Sequence, residues 1–444
     1  MKQIKLATLL LLLCVSIQLF AAIDMQSHVA SDAGKTAYTT YVTKQAAYYT
    51  GNYTYEQLTS TTGTALFGVL NTLMGGTNKI LNSGYDYGAL RYAYKDVDKD
   101  LNGTNQIIGY YDGESMSGTW RSGWNREHTW PQSKFKGSYI SGTSIPIGYD
   151  MQSVRPASTS VNSDRGNTAY GEGGSYYDPN DIAIDNPNYQ KISNGTYRGD
   201  CARVILYDYI NYGKKGTFSN KLYDSECKTD LITQVGSNSN SVFESLTILL
   251  KWHMQDPPSL TEMVRNDGGQ VYQGNRNPFI DYPELAINML KDETNVTTYM
   301  VTTNTTANLL PNYTYTTAGG FVTYLTFTDG THPDAVTVTG AASTYESTLG
   351  RLTVTNATGT VNISTKISAV DEVIINDVVY YGKKGLLYVS NLENGCAAVL
   401  FDCSGRMLEQ RSNCVSEEMF AVPQGVYILQ IKVGTSVRSF KIVY

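Results

Sequence analysis

The sequence predicts an α+β protein in which a region of mixed helices and loops precedes an all-β, β-sandwich-like C-terminal region. Two observations predict this division. From about residue 48 to about residue 290, apolar residues recur at helical spacing between loops rich in Gly, Asn and Tyr. From about residue 295 onward, alternating Thr and apolar runs are separated by Gly, Asn and Asp, a pattern typical of sandwich strands.

Individual segments carry a clear helix or strand pattern. Residues 200–212 predict a helix with Asp200 as its N-cap, because the apolar residues that follow fall on or near one face. Further helices are predicted over 242–253 and 282–291. The predicted strands of the C-terminal region are 301–304, 321–327, 352–355, 373–375, 386–389, 397–401, 426–431 and 439–443.

Residues 1–22 have the pattern of a signal peptide. Lys2 and Lys5 precede an apolar run over 6–20, and two alanines follow it. Cys14 lacks the small residue that precedes a lipidated cysteine, so we expect no lipid anchor. Since no other apolar run has transmembrane length, we expect a protein that is secreted or held at the cell surface.

A chain of 444 residues has room for two or three domains. We expect the signal peptide at 1–22 and a mixed domain at 23–293. A Thr-rich β domain or spacer is predicted at 294–370, and a β-sandwich unit at 371–444.

Composition and charge exclude several classes of function. The formal net charge is −6, so bulk attraction to nucleic acid or to an anionic membrane is not expected. A polyanion must therefore be held by a local site with a bound cation. The chain has only 4 His and no C-x-x-C, which argues against His-rich metal clusters, zinc sites and redox motifs. The mature chain keeps an odd number of cysteines. Among them, Cys201 and Cys227 form a candidate disulfide.

Several catalytic motifs are absent from the sequence. It contains no G-x-S-x-G, G-x-x-x-x-G-K-[ST], G-x-G-x-x-G or H-E-x-x-H, and no deaminase H-x-E. Serine hydrolases, P-loop enzymes, dinucleotide enzymes and zincins are therefore excluded. A glycosidase carboxylate pair stays open, because any two acidic residues can meet in space.

A dense polar stretch over 125–167 suits phosphodiester hydrolysis. Glu127 adjoins His128, and Asn162 follows with two arginines nearby. Imidazole can serve as a base, carboxylate and amide oxygens suit a hard cation, and guanidinium groups hold phosphates. The alternative interpretation is a surface Glu-His dipeptide with arginines in structural ion pairs.

These residues resemble the bacterial endonuclease I family, secreted or periplasmic nucleases of the ββα-metal (His-Me finger) type. The matching motifs are R-E-H-x-W-P-x-S from Arg126, D-x-x-x-x-R-P from Asp150 and V-N-S-x-R-G-N from Val161. Further matching blocks are 199–203, 252–257 and 273–281. The resemblance covers roughly residues 45–290 and implies a His-Me finger nuclease domain within 23–293.

The resemblance also implies roles for individual residues. His128 is the expected general base, and Glu127 and Asn162 are the expected ligands of one Mg²⁺, with Mn²⁺ or Ca²⁺ as alternatives. Arg155 and Arg165 are expected to clamp phosphate as part of the catalytic set. The candidate substrate-binding residues are Arg126, Gln152, Asn167 and Arg276.

One departure from the family pattern concerns residues 152 and 153. Many relatives carry one or two His there, whereas this chain has Gln152 and Ser153. Because an amide cannot titrate, we expect reduced activity with the central residues intact. Trp120, Trp124 and Trp130 are expected to serve packing more often than base stacking, and His253 is expected to be structural.

The last unit, 371–444, resembles the C-terminal sorting domain of the type IX secretion system. The similarity lies in 400–406, 421–431 and 440–444. It implies contact with secretion machinery, whereas a plain Ig-like accessory domain is the alternative.

Together these features predict a secreted, Mg²⁺-dependent, largely sequence-nonspecific endonuclease acting on DNA, with RNA as a further candidate substrate; the preference between the two stays open. The alternative is a surface binding or adhesive β-protein that carries a decayed nuclease module. A hydrolase acting on glycans is a third hypothesis.

Overall fold

A computed structural model of the chain describes most of the region after the N-terminus. The described residues are 32–49, 53–74, 86–101, 103–134, 146–173, 175–179, 197–212, 241–328, 330–366, 379–383, 386–390, 392, 394–403, 405–423, 425–434 and 436–443. By contacts the chain divides into two compact units, Met1–Ile367 and Ser368–Tyr444. The predicted boundaries at 293 and 370 stay predictions.

Helices dominate the first part of unit one. They are α1 (Asp32–Tyr49), α2 (Tyr55–Thr59), α3 (Gly63–Leu73), α4 (Leu90–Val97), α5 (Pro146–Tyr149), α6 (Thr159–Arg165), α7 (Arg198–Tyr212), α8 (Leu246–Gln255), α9 (Leu260–Gln273), α10 (Pro278–Asp281) and α11 (Glu284–Leu290). The helices predicted over 242–253 and 282–291 are confirmed as α8 and α11. Each begins later than predicted, at Leu246 and at Glu284.

Helix α7 is the central element of this part, because nearly every residue along it is buried. A helix that is enclosed on all sides must lie in the interior of a protein. It begins at Arg198, so the prediction that Asp200 is its N-cap is wrong. Asp200 lies instead in the first turn, buried, with Arg203 at 3.3 Å. The local apolar pattern starts at Cys201, which explains why the sequence placed the helix start too late.

Four short strands form two small antiparallel sheets within the helical part. β1 (Gln106–Ile108) pairs with β2 (Ser115–Ser117), and β3 (Trp124–His128) pairs with β4 (Val154–Ser158). Helix α6 follows β4 without an intervening loop.

The rest of unit one is a β-region with two four-stranded sheets. Its strands are β5 (Tyr299–Asn304), β6 (Asn308–Leu310), β7 (Tyr315–Thr316), β8 (Phe321–Thr326), β9 (Ala335–Thr339), β10 (Ala342–Glu346), β11 (Arg351–Thr355) and β12 (Val361–Lys366). The sheet orders are β10-β11-β8-β6 and β7-β5-β12-β9. Apolar side chains of β8 and β11 share one continuous core with those of α7 and α8.

Unit two is all-β among its described residues. The strands are β13 (Val379–Lys383), β14 (Leu386–Ser390), β15 (Ala397–Asp402), β16 (Met407–Arg411), β17 (Glu417–Ala421), β18 (Val426–Val433) and β19 (Ser436–Val443). They form sheets β13-β14-β17 and β16-β15-β18-β19 over their own core. The predicted strands from 386 onward match β14, β15, β18 and β19, whereas 373–375 lies outside the described residues.

Two further sequence expectations concern membrane spans and the pairing of Cys201. Its helices include none with both the length and the apolar character of a membrane span. Cys201 is a buried free thiol that accepts a hydrogen bond from the Tyr110 hydroxyl at 3.3 Å. Cys227, its candidate partner, lies outside the described residues.

The buried carboxyl of Glu284 generates a prediction about stability. Burial raises the pKa of Glu284 from 4.5 to about 7, although the Tyr55 hydroxyl donates to it. The folded state therefore binds a proton that the unfolded state has released, so this group lowers stability as pH rises through that interval. Between about pH 5 and about pH 8, wild type should lose roughly 3 kcal/mol more unfolding free energy than Glu284→Gln. Chemical denaturation at both pH values measures this difference, and parallel losses in the two proteins would contradict it.

Candidate active site

The Glu-His motif lies on an antiparallel strand pair that leads directly into a helix. In the register of β3 and β4, Glu127 lies opposite Arg155 and His128 opposite Val154. The Ser158 side chain at the end of β4 accepts a hydrogen bond from the Val161 N–H and so caps α6. This connection places α6 against β3.

Side chains of Asn162 and Arg165 join α6 to β3. The Asn162 amide nitrogen donates to Asn125 Oδ1 at 2.5 Å. One turn later, Arg165 Nη1 lies 3.4 Å from Glu127 Oε1. The structure therefore places Glu127 and His128 on β3 and Asn162 on the helix that contacts this strand.

Glu127 is a buried carboxylate, with 3% of its surface exposed. The Tyr111 hydroxyl donates to its Oε1 at 2.7 Å, so Tyr111 and Arg165 approach the same oxygen. Burial raises the pKa of Glu127, since a charge loses hydration in the interior, while Arg165 and Tyr111 lower it in part.

His128 is almost as deeply buried, and burial lowers its pKa to about 4, with Arg126 and Arg165 acting in the same direction. Its Nε2 lies 3.0 Å from the Gly148 carbonyl oxygen. Because a carbonyl only accepts, Nε2 carries the ring proton in this arrangement and Nδ1 keeps the lone pair.

Two neighbours fix the plane of the imidazole. The Gln132 amide nitrogen lies 2.8 Å from Nε2 and 3.2 Å from Nδ1, and of these only the lone pair of Nδ1 can accept from it. The ring of Tyr87 is stacked on the imidazole with centroids 5.7 Å apart. The Arg126 guanidinium covers the Tyr87 ring at 3.4 Å from its centroid.

The oxygen donors of this site suit a hard cation. Because the nitrogen of the Asn162 amide donates to Asn125, the oxygen of the same amide points away from Asn125. A carboxylate and an amide oxygen are ligands that Mg²⁺ and Ca²⁺ accept, with water completing the shell. The described residues contain no group of three or more His, Cys, Asp and Glu side chains placed to hold a metal. A cation here would thus depend on Glu127, Asn162 and water.

The two arginines expected to clamp phosphate are enclosed by protein groups. Arg165 is 1% exposed and its Nη2 donates to the Thr129 carbonyl at 2.7 Å. Arg155 is 3% exposed, with Asp98 at 3.7 Å and Asp200 at 3.9 Å. Both guanidinium groups serve interior ion pairs in this structure.

The four candidate substrate-binding residues fall into two groups. Gln152 and Arg276 are buried, where Gln152 donates to Asn266 at 2.9 Å and Arg276 pairs with Asp267 and Asp281. Asn167 is exposed and Arg126 is partly buried, so both are open to solvent beside the site.

The tryptophans near the site and His253 lie largely within the interior of the protein. Trp124 and Trp130 are buried in the core, whereas Trp120 is half-buried. His253 is fully buried and its Nε2 lies 2.7 Å from the Pro283 carbonyl oxygen, as expected of a structural histidine.

Sequence reasoning missed Tyr111, Gln132 and Tyr87 as members of this site. Gln132 lies within the motif that contains His128 and was a recognisable candidate for that reason. Tyr111 is 16 residues before Glu127, in the segment between β1 and β2. A chain with 35 Tyr gives no local signal to select it.

Comparisons with known proteins establish the family. The Endonuclease I family model matches residues 77–284. An extracellular ribonuclease of Bacillus amyloliquefaciens is 34% identical over 240 residues, which cover 52% of this chain and 76% of that relative. An extracellular ribonuclease of Bacillus subtilis (strain 168) is 32% identical over 273 residues, covering 60% of this chain and 88% of that relative.

The chain therefore belongs to the endonuclease I family, as the sequence motifs predicted, and it is a secreted nuclease. A solved structure of PorZ, a type-IX secretion component of Porphyromonas gingivalis, overlaps 30% of this chain and 24% of that chain at 14% identity. Its TM-score is 0.15, too low to carry an argument about unit two.

The ion pair between Arg165 and Glu127 generates a prediction. Arg165→Met removes the guanidinium group and leaves the buried Glu127 carboxylate without its charged partner. We expect the free energy of unfolding to fall by about 3–5 kcal/mol. Urea denaturation measures the change, with Lys95→Met as the control, because Lys95 is exposed in α4. Equal stabilities for the two variants would show that Arg165 does not offset the burial of Glu127.

Proposed function

We propose that this nuclease is a divalent-cation-dependent endonuclease of the ββα-metal type that hydrolyses phosphodiester bonds in DNA and in RNA without strong sequence preference. Glu127 and Asn162 hold the cation, with Mg²⁺ favoured, and His128 is the general base. The observation that carries the proposal is the β3-β4-α6 arrangement. It puts the carboxylate, the imidazole and the amide of these three residues on adjoining backbone segments.

The state of His128 suits a base that acts on water. At neutral pH the lowered pKa keeps the imidazole uncharged and able to accept a proton. The Gly148 carbonyl retains the ring proton on Nε2, so Nδ1 keeps the lone pair. Nδ1 receives the proton of the attacking water when that water takes the place of the Gln132 amide. Stacking against Tyr87 keeps the ring in that orientation.

The carboxylate of Glu127 and the amide oxygen of Asn162 bind and orient the cation. When bound, a divalent cation stabilises the negative charge that develops on the phosphate and its leaving oxygen. Glu127 is pre-oriented by Tyr111 and Arg165, and Asn162 by Asn125. The ligands are thus held in place by their neighbours before any cation arrives.

The surroundings suggest which residues meet the substrate. We assign phosphate contacts to Arg126 and Asn167, because these two candidates reach solvent. The burial of Arg155, Arg165, Gln152 and Arg276 favours positioning roles over direct contact. On this assignment Gln152 supports α9 through Asn266, so the departure at residue 152 leaves the central three residues untouched.

Cleavage of both DNA and RNA is expected because the attacking nucleophile is water. A base that activates water does not need the 2′-hydroxyl of RNA, so the same groups can cleave DNA. Action on RNA is supported by the two relatives, which are described as extracellular ribonucleases.

For unit two we propose contact with the secretion machinery. The support is the sequence resemblance of 400–406, 421–431 and 440–444 to a type IX sorting domain. A chain ending at residue 367 should then stay inside cells that export the full chain. Normal export of that shorter chain would favour an accessory domain instead.

Replacement of the base gives the first test of mechanism. His128→Ala should lower the rate of plasmid nicking by about 10²–10⁴-fold, because proton transfer from water is lost. Binding of a short duplex in Ca²⁺ should be retained. His332→Ala is the matched control, since His332 lies in the β-region and contacts the Leu325 carbonyl. An unchanged rate for His128→Ala would overturn the role of this residue.

Removal of the cation gives the second test. Purified protein without residues 1–22 should nick supercoiled plasmid and cleave RNA in Mg²⁺, and EDTA should abolish both activities. Addition of excess Mg²⁺ should restore them. Cleavage that persists in EDTA would contradict the proposal, and so would a folded sample that remains inactive with Mg²⁺, Mn²⁺ and Ca²⁺.

A further inference from the structure

We infer that Tyr111 is a positioning residue that holds the Glu127 carboxylate for the divalent cation. The inference rests on the proposed function, since it assigns Glu127 as a ligand. Tyr111 belongs to the segment between β1 and β2, outside the strand pair and helix that carry the three central residues. Its hydroxyl reaches the carboxylate across the interior at 2.7 Å, and its side chain is fully buried.

The direction of the hydrogen bond follows from the protons available. A tyrosine phenol is protonated at neutral pH, so Tyr111 and Tyr170 each have one proton to donate. An ionised carboxylate only accepts, so Tyr111 gives its proton to Glu127. The hydroxyls of Tyr111 and Tyr170 lie 2.6 Å apart, so the Tyr111 oxygen can accept from Tyr170, whose hydroxyl also lies 3.2 Å from the Thr129 carbonyl oxygen.

The resulting chain runs from Tyr170 through Tyr111 to Glu127, and a second contact supports it. The Arg165 guanidinium lies over the Tyr170 ring at 4.7 Å and also approaches Glu127 Oε1 at 3.4 Å. Both hydroxyls therefore act from within a buried, oriented network instead of a mobile surface. Hydrogen bonds to a buried carboxylate are stronger than neutral ones, which makes them effective at fixing a rotamer.

The backbone at Tyr111 is held in an unfavourable conformation. Its φ is 81°, in the left-handed region that a bulky residue rarely adopts. The segment is anchored by the neighbouring Tyr110 N–H, which donates to the Pro156 carbonyl on β4 at 2.8 Å. Such strain persists where surrounding contacts impose it, often at functional sites. Here its consequence is to aim the Tyr111 hydroxyl at Glu127.

Tyr111 affects cation binding through its contact with one carboxylate oxygen of Glu127, Oε1. Tyr111 and Arg165 both meet Oε1, so together they fix the rotation of the carboxylate about its last bond. Loss of the hydroxyl leaves Arg165, a longer contact, as the remaining one of these two. We therefore expect a weaker cation site after its removal, in the way that partners of metal ligands tune affinity elsewhere.

Packing alone is the competing explanation, and the structure offers a matched control for it. The Tyr111 ring lies 5.2 Å from the ring of Tyr177. The Tyr177 hydroxyl is also buried, and it makes no hydrogen bond within the described structure. Tyr111→Phe and Tyr177→Phe each remove one buried hydroxyl from the same aromatic cluster, but only the first removes a bond to Glu127.

The experiment measures Mg²⁺ binding by isothermal titration calorimetry on the full mature chain, without nucleic acid. Tyr111→Phe should weaken the Mg²⁺ affinity by about 10-fold or more, and Tyr177→Phe should leave it unchanged. The Mg²⁺ concentration for half-maximal nicking should shift by a similar factor in Tyr111→Phe. Unchanged affinity in Tyr111→Phe, or equal losses in both variants, would overturn the inference.

A second variant covers the case in which Tyr111→Phe folds poorly. Tyr170→Phe removes the hydroxyl that contacts the Tyr111 hydroxyl, so a smaller loss of Mg²⁺ affinity in the same direction is expected, and no loss would overturn the inference. Failure of the proposed function appears in a different assay. If His128→Ala still cleaves, the assigned base is wrong, whereas the role of Tyr111 is judged from cation binding alone.

Discussion

The burial of one carboxylate, that of Glu127, is the constraint on which the site depends. A charged group in the interior is costly unless partners replace its lost hydration. Tyr111 and Arg165 provide that replacement from two different parts of the chain, a loop before β3 and the helix after β4. The need to satisfy one side chain thus ties loop, strand and helix into a single arrangement, and a cation bound at Glu127 would add to the same compensation.

The interior around the strand pair is built from buried ion pairs, and these hold β4 in place. Arg265 of α9 donates to the Val154 carbonyl at 2.6 Å and pairs with Asp98, which also lies 3.7 Å from Arg155. Arg203 of α7 pairs with Glu262 at 2.7 Å. Breaking one member of such a network leaves an uncompensated charge, so the network favours one geometry strongly. These contacts hold the strand that precedes α6, and the helix that carries Asn162 begins directly after that strand.

Sequence reasoning selected Glu127, His128 and Asn162 as candidates but not the residues that contact them in the fold. Glu127, His128 and Asn162 lie in local motifs whose residue types are specific to the chemistry, so they can be selected without coordinates. Long-range partners have no such signature, because Tyr111 is one of many tyrosines and its distance from Glu127 is set by tertiary structure. The same limit explains Arg155, whose residue type suits phosphate but whose neighbours, Asp98 and Asp200, become visible only in the fold.

The central proposal for this molecule is that Glu127 and Asn162 hold a divalent cation beside His128. Anomalous diffraction from crystals soaked in Mn²⁺ tests this claim most directly, because it locates the ion without reference to activity. We expect a peak about 2.0–2.4 Å from oxygens of both Glu127 and Asn162. A peak on other residues, or none at these two in well-diffracting crystals, would contradict it.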